Sequence, residues 1–282
     1  MDARAIHTSD AGYPARLTAL ADPPTPLWIR GGWTPARRAV ALVGARAATA
    51  GGLEAARELG ARLAAAGVDV ISGGALGIDA ASHRGALDSA ARDGAGKTVA
   101  VLGTGIDVAY PERNARMFEE IVASGGALVT QFEPGSGPKR GSFPTRNVII
   151  AGLADVVVVV EAGLASGTTH TVRAMHALGR TVAALPGSHG TDALIIARGA
   201  VAVAGADDVL ALLDGKRPAP PALPDDPLAA KIYAVLDETP RDVGELAFRA
   251  GLAVGTCAAM VVDLELGGLA ARAAGGRYLR LR

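Results

Sequence analysis

The sequence predicts an α/β protein: a doubly wound, Rossmann-like, mostly parallel sheet followed by a small C-terminal winged-helix-like domain. Three observations carry this expectation. Short runs that are apolar throughout alternate with stretches of helical periodicity, the pattern of parallel strands covered by helices on both faces. Nearly every such run ends in a glycine-containing turn. Beyond residue 213, a proline-rich stretch separates this pattern from three short helical segments and a glycine-turned hairpin.

The elements follow in order. Residues 1–35 read as a lead-in, in which LTALADPPTPLWIRGG suggests a short helix, an extended proline segment and a small strand ending at Arg30. Residues 36–213 form the Rossmann-like domain. The strand AVALV (39–43) meets a turn and the helix 53–67, where Leu53, Ala56, Leu59 and Leu63 share one face. Next come VDVIS (68–72) with a helix to about Arg92, KTVAVLG (97–103) with a longer loop, and ALVTQF (127–132) with a Gly/Pro-rich loop. DVVVVVEA (155–162) leads to a helix ending at Gly179, and TVAAL (181–185) to one ending near Gly199. Residues 214–227 read as a stiff proline-rich linker. Residues 228–282 form the winged-helix-like domain, with helices at 228–238, 243–251 and 255–268 and a hairpin turning at Gly275-Gly276.

Charge and composition narrow the function. The chain has 28 basic and 28 acidic residues, so nucleic-acid binding requires a local patch rather than a basic coat. The single cysteine, Cys257, cannot form an internal disulfide, and no Cys/His cluster has zinc spacing. The N-terminus lacks a signal-peptide core, and the apolar run Val156 to Val160 is too short to span a bilayer. A cytoplasmic protein without a membrane segment, metal or cofactor is expected.

In an open parallel sheet, ligands bind beyond the carboxyl ends of the strands, where glycine turns and helix N-termini form nests for phosphate. The dinucleotide fingerprint is missing, because Gly44 is followed by Ala45, Arg46 and Ala47. GAGKT (94–98) imitates the end of a P-loop, but Lys97-Thr98 starts a strand where a P-loop must finish one. Asp79, Asp107, Glu133 and Glu161 lie in strand-end loops without a paired spacing, and His170 and His176 read as helix-surface residues. Residues 134–154 differ: Lys139, Arg140 and Arg146 accompany Phe143, with no acid among them. Cations that hold phosphate beside a ring that stacks a base suit single-stranded nucleic acid. Arg46 projects toward the same crevice, and the competing reading of Phe143-Pro144 is a hydrophobic plug beneath a loop.

Six ordered motifs resemble the DNA-processing protein A family: GAR (44–46), SGGALGIDAASHRGAL (72–87), VAVLGTGIDVAYPERN (99–114), FPTRNVIIAGLAD (143–155), VVVEAGLASGTTHTVRAMHALGR (158–180) and ALPGSHGTDALIIARGA (184–200). The likeness covers about residues 10–213, and the C-terminal segment resembles the family's winged helix. The helical N-terminal domain of many members is expected to be absent. The resemblance implies a non-enzymatic protein of natural transformation that binds and protects incoming single-stranded DNA. It also implies loading of RecA recombinase onto strands coated by single-strand-binding protein, and a homodimer. By motif, the DNA-binding residues would be Arg46, Ser72, Gly73, Gly74, Lys139, Arg140, Phe143, Arg146, Asn147, Ser166 and Gly167. Ala45, Val148 and SGTTHT (166–171) depart from the family's usual GSR, FPxRNR and SGSLIT.

Two alternatives belong to other classes. A nucleoside-monophosphate phosphoribohydrolase would need the glutamate of PGGxGTxxE, which PGSHGTDAL lacks. A duplex-DNA regulator would need a basic third helix, yet 255–268 carries Asp263 and Glu265 and no cation. A protein-interaction role suits that helix better. Arg272, Arg277, Arg280 and Arg282 leave auxiliary duplex contact by the wing open.

Overall fold

The computed structural model describes residues 3–163, 167–218, 225–237 and 239–281. Nine strands form one sheet: β1 (Ala3–Ile6), β2 (Leu27–Gly31), β3 (Ala39–Val43), β4 (Asp69–Ser72), β5 (Thr98–Val101), β6 (Ala127–Thr130), β7 (Val156–Val159), β8 (Thr181–Ala184) and β9 (Val201–Ala202). Their order is β1-β2-β6-β5-β4-β3-β7-β8-β9. The strands from β6 to β9 run parallel, whereas β1 and β2 close one edge antiparallel. The winding reverses between β3 and β7, which places the topological switch point at their carboxyl ends.

Apolar strands became central because both of their faces are covered. In β3, Ala39, Ala41 and Val43 enter one core while Val40 and Leu42 enter the other. Helices α1 (Ala50–Ala65) and α2 (Ile78–Asp88) cover the second face, and α3 (Ala115–Ala123) continues that layer with Met117, Phe118 and Ile121. Helices α4 (Ser142–Leu153), α5 (Thr168–Ala177) and α6 (His189–Arg198) line the first face. Helix α7 (Ala206–Leu213) returns to the second through Ala206 and Val209.

The lead-in is built into the sheet. β2 pairs with β6, and Leu17, Leu27 and Trp33 enter the main core. Two carboxylates at the amino ends of the strands fasten this segment. Buried Asp69 accepts hydrogen bonds from Trp33 Nε1, Ala36 N and Lys97 N, each at 2.8 Å. Asp155 accepts from Arg16 Nε and from Ala39 N, both at 2.8 Å. Lys97 thus sits at the wrong end of its strand for phosphate, and its Nζ donates to Ser124 O at 3.3 Å.

The C-terminal unit comprises α8 (Pro227–Val235), α9 (Val243–Ala250), α10 (Val254–Leu266) and the hairpin of β10 (Ala270–Ala273) and β11 (Arg277–Arg280). Pro227 opens α8 where its missing N–H is harmless, and Asp226 caps Leu228 N at 2.7 Å. Ile232, Leu246, Cys257, Val261 and Tyr278 form this unit's own core. β10 lies beside α6.

Close approach of α1 and α2 depends on glycine. A Cβ at Gly60 would meet the carbonyl of Ser82, and one at Gly85 would meet that of Arg57. Gly85→Val should therefore destabilise the fold by about 1–3 kcal/mol through overpacking. Gly51→Ala, at a position with open space around it, should be neutral or stabilising by up to about 1 kcal/mol. Urea denaturation of the two variants beside the wild type measures both.

Candidate nucleic-acid interface

The loops after β3 and β7 diverge at the switch point and open a crevice of about 790 Å³. Gly44 and Gly77 allow the β3 and β4 loops to touch: side chains there would strike Ile78 and the carbonyls of Glu161, Ala45 and Arg46. The floor of the crevice comes from α4. Phe143, Arg146, Asn147 and Ile150 lie at i, i+3, i+4 and i+7 and form one helical face toward the opening. The segment FPTRN is thus the first turns of a helix and not the loop expected from its prolines and glycines. Pro144 fits because the first helical turn has no N–H partners to lose.

Phe143 is half-buried at the mouth. Its ring lies over Gly103, where a Cβ would come within 2.8 Å of it, and its centroid is 5.6 Å from that of Tyr110. The guanidinium of Arg46 stands 5.3 Å above the ring. Arg46, Lys139 and Arg140 are exposed and make no ion pair among the described residues. The plug reading of Phe143 accounts for its seat on Gly103 but not for the unpaired cations around it.

Arg146 has a different station from these exposed cations. Its side chain is 4% exposed and turns inward, where Nη1 donates to Val101 O at 2.6 Å and also to Gly73 O. These carbonyls end β5 and follow β4, so one guanidinium satisfies two strand ends. Burial pushes its pKa down to about 10, against the stabilising charge of Asp79. Asp79 is itself buried in the first turn of α2; desolvation raises its pKa, while Arg146 and Arg46 oppose the shift.

Other expected residues separate in the same way. Ser72 is fully buried and donates to Leu42 O at 2.6 Å. Gly73 and Gly74 are buried too, their carbonyls held by Arg146 and by Asn114 Nδ2, the latter at 2.9 Å. Asn147 faces the crevice and donates to Gly167 O at 3.4 Å. Ser166 lies outside the described residues. His170 lines the crevice from the exposed side of α5, and His176 is exposed on the same helix.

The N-terminus of α1, the place where a nucleotide phosphate would be expected, is already occupied. Glu161 accepts from Thr49 N at 3.1 Å and from Thr49 Oγ1 at 2.7 Å. Gly52 leaves room for that carboxylate, because a Cβ there would collide with it. An internal anion on the helix dipole repels an external one, so this helix terminus is closed to a phosphate. No local pattern pairs Glu161 with Thr49, which is 112 residues away.

In the C-terminal unit, α10 exposes Val254, Val262 and Leu266 and the neighbouring α9 exposes Phe248 at 88%. This third helix presents apolar surface where a groove-reading helix would present cations. On the wing, Arg272 and Arg277 are exposed, whereas Arg280 covers the Tyr233 ring at 4.4 Å and donates to Tyr233 O.

A doubly wound sheet with exposed cations beside an aromatic ring at its switch point, and an appended winged helix, defines the class of α/β protein. The chain belongs to the DNA recombination-mediator protein A family, whose profile matches residues 4–214, and the DprA winged helix domain profile matches residues 216–276. It is 39% identical over 292 residues to a putative DNA processing protein DprA of Mycobacterium tuberculosis, covering 96% of this chain and 72% of that protein. Protein Smf of Escherichia coli is 36% identical over 289 residues, covering 96% and 75%. Among solved structures, DNA processing protein A from Streptococcus pneumoniae superposes with a TM-score of 0.65 at 35% identity, covering 74% of this chain and 73% of that one. DNA processing protein A from Helicobacter pylori, described for its single-stranded DNA binding mode, gives 0.64 at 26% identity, covering 76% and 95%.

Two measurements test this geometry. Arg146→Ala should lower stability by at least about 1–3 kcal/mol, because it leaves buried carbonyls unpaired; Arg46→Ala should leave stability unchanged within about 0.5 kcal/mol in urea denaturation. Buried His83, with Nδ1 2.7 Å from Thr98 Oγ1 and Nε2 unpartnered, has its pKa pushed down to about 3 by burial and by Arg146 and Arg84. The unfolded chain, whose histidine titrates near 6.5, therefore binds the extra proton first. His83 stability is fully present above about pH 6.5 and falls as pH drops toward 3. Asp79 contributes with the opposite sign, so the difference between wild type and His83→Gln in urea titrations across this range isolates the histidine.

Proposed function

We propose that the chain binds single-stranded DNA along the carboxyl edge of its sheet, without catalysis, and hands the strand to RecA recombinase. The juxtaposition of Arg46 and Phe143 at 5.3 Å carries this reading. A cation that neutralises phosphate stands over a ring that offers an aromatic surface to a base, and neither depends on base identity. Lys139 and Arg140 extend the cationic track along the segment before α4. The occupied N-terminus of α1 disfavours a mononucleotide enzyme and leaves a polymer, held by several exposed cations, as the fitting ligand.

The single-stranded DNA binding mode of the Helicobacter pylori protein supports the same ligand, and the family's character as recombination mediators supports delivery to a recombinase. Protection of incoming DNA in natural transformation, exchange with single-strand-binding protein, homodimerisation and a cytoplasmic setting form part of this proposal. Among the described residues, no single helix is long and apolar enough to cross a membrane. Auxiliary duplex contact falls to the wing, where Arg272 and Arg277 are exposed, because the apolar surface of α10 does not suit a DNA groove.

Fluorescence anisotropy with a labelled single strand and an equal-length duplex at several salt concentrations tests the reading. Tight binding to the single strand should weaken with salt at a slope near −0.7 per phosphate neutralised, with little sequence preference. Arg46→Glu should weaken it by at least tenfold, roughly the 1.4 kcal/mol scale of one lost charge contact turned repulsive. Unchanged binding in a folded Arg46→Glu protein, or preference for the duplex, would remove the crevice from the reading.

A further inference from the structure

The loop between β5 and α3 places a second aromatic ring at the mouth of the crevice. Tyr110 is 43% exposed, a large apolar surface on a loop otherwise rich in glycine, and it tilts 40° against Phe143. The two rings line a small cleft of about 80 Å³, bounded also by Leu76, Gly103, Pro111 and Arg46. Leu76 is exposed at 37%, so the apolar surface continues past Phe143 and away from β7. The cleft shares Arg46, Phe143 and Arg146 with the large crevice and joins it on the β4 and β5 side.

The ring is held in place by its loop. Gly105 N donates to Ser136 O at 2.8 Å, and Gly135 N donates to Asp107 Oδ1 at 2.7 Å, which ties the segment to the loop preceding α4. Thr104 Oγ1 donates to Val108 O at 2.7 Å, and Asn114 closes the far end on Gly74 O. Such bracing keeps an exposed tyrosine at fixed distance from Phe143, so little side-chain and loop ordering is left for binding.

We infer that Tyr110 is a second base-stacking platform, and that a single strand crosses from the Arg46–Phe143 pair toward β5 with consecutive bases on Phe143 and Tyr110. This inference rests on the reading of the crevice as a single-strand site. Successive bases on aromatic rings, with a cation between them, form a sequence-tolerant track. The tilt between the rings suits two bases that are splayed instead of stacked on each other, with Arg46 near the intervening phosphate.

The test pairs protein variants with abasic oligodeoxythymidylate in anisotropy titrations, each variant checked for an unchanged thermal melt. Tyr110→Ala should weaken binding about tenfold, while Tyr110→Phe, which keeps the ring, should bind like wild type. Moving one abasic site along the strand should find a position that weakens wild type and Tyr110→Phe but adds nothing to Tyr110→Ala, and an adjacent position that behaves likewise with Phe143→Ala. A merely structural tyrosine would not produce that position-specific cancellation. The inference is overturned if Tyr110→Ala binds like wild type, or shows no cancelling position, while Arg46→Glu and Phe143→Ala still lose affinity. If those two variants also bind normally, the single-strand reading itself is overturned.

Discussion

A guanidinium sealed behind a crevice must find acceptors inside the protein, and Arg146 finds them on the ends of two strands. By bridging Val101 O and Gly73 O it ties α4 to the carboxyl ends of β4 and β5. The rest of the interface follows from that attachment. Phe143, one turn earlier on α4, is laid over Gly103, and Asn147, the next residue, reaches toward the loop after β7. Asp79 supplies the opposing charge without which burial of this cation would be far more costly. Arg146 thus acts as a positioning residue for groups that face solvent.

The charge arrangement divides this fold from nucleotide-binding relatives in architecture. The α1 dipole is satisfied internally by Glu161 and Thr49, and the buried strand-end glycines turn their carbonyls toward Arg146 and Asn114. The exposed cations Arg46 and Arg140 line the crevice instead. Side chains of this kind hold phosphates without reading bases, and aromatic rings are equally tolerant. The C-terminal unit continues the division. Its third helix exposes Val254, Val262 and Leu266 and carries no cation, whereas Arg272 and Arg277 on the hairpin are exposed.

Much of the fold was legible. Strands β3 to β8 stand within a few residues of their apolar runs, because burial on both faces demands uninterrupted hydrophobic sequence. β1 and β9 were missed: one is an exposed edge and the other is two residues long, so neither needs a pattern. The start of α4 was hidden by Gly141 and Pro144, which signal a loop unless proline falls in a first helical turn. The i, i+3, i+4, i+7 spacing of Phe143, Arg146, Asn147 and Ile150 was the available sign of that helix.

The sequence by itself determined the alternation of strands and helices, the glycine turns and the types of side chain near the carboxyl edge, since these depend on local periodicity and chemistry. Tertiary structure alone decided which cations face solvent and which are buried. Arg46 and Arg146 are chemically identical, but a neighbouring pair of strand-end carbonyls and a buried carboxylate claim one of them. It also decided that Glu161 would meet Thr49 and Tyr110 would meet Phe143. Those pairings join distant segments brought together by strand order and loop closure, and no local pattern encodes them.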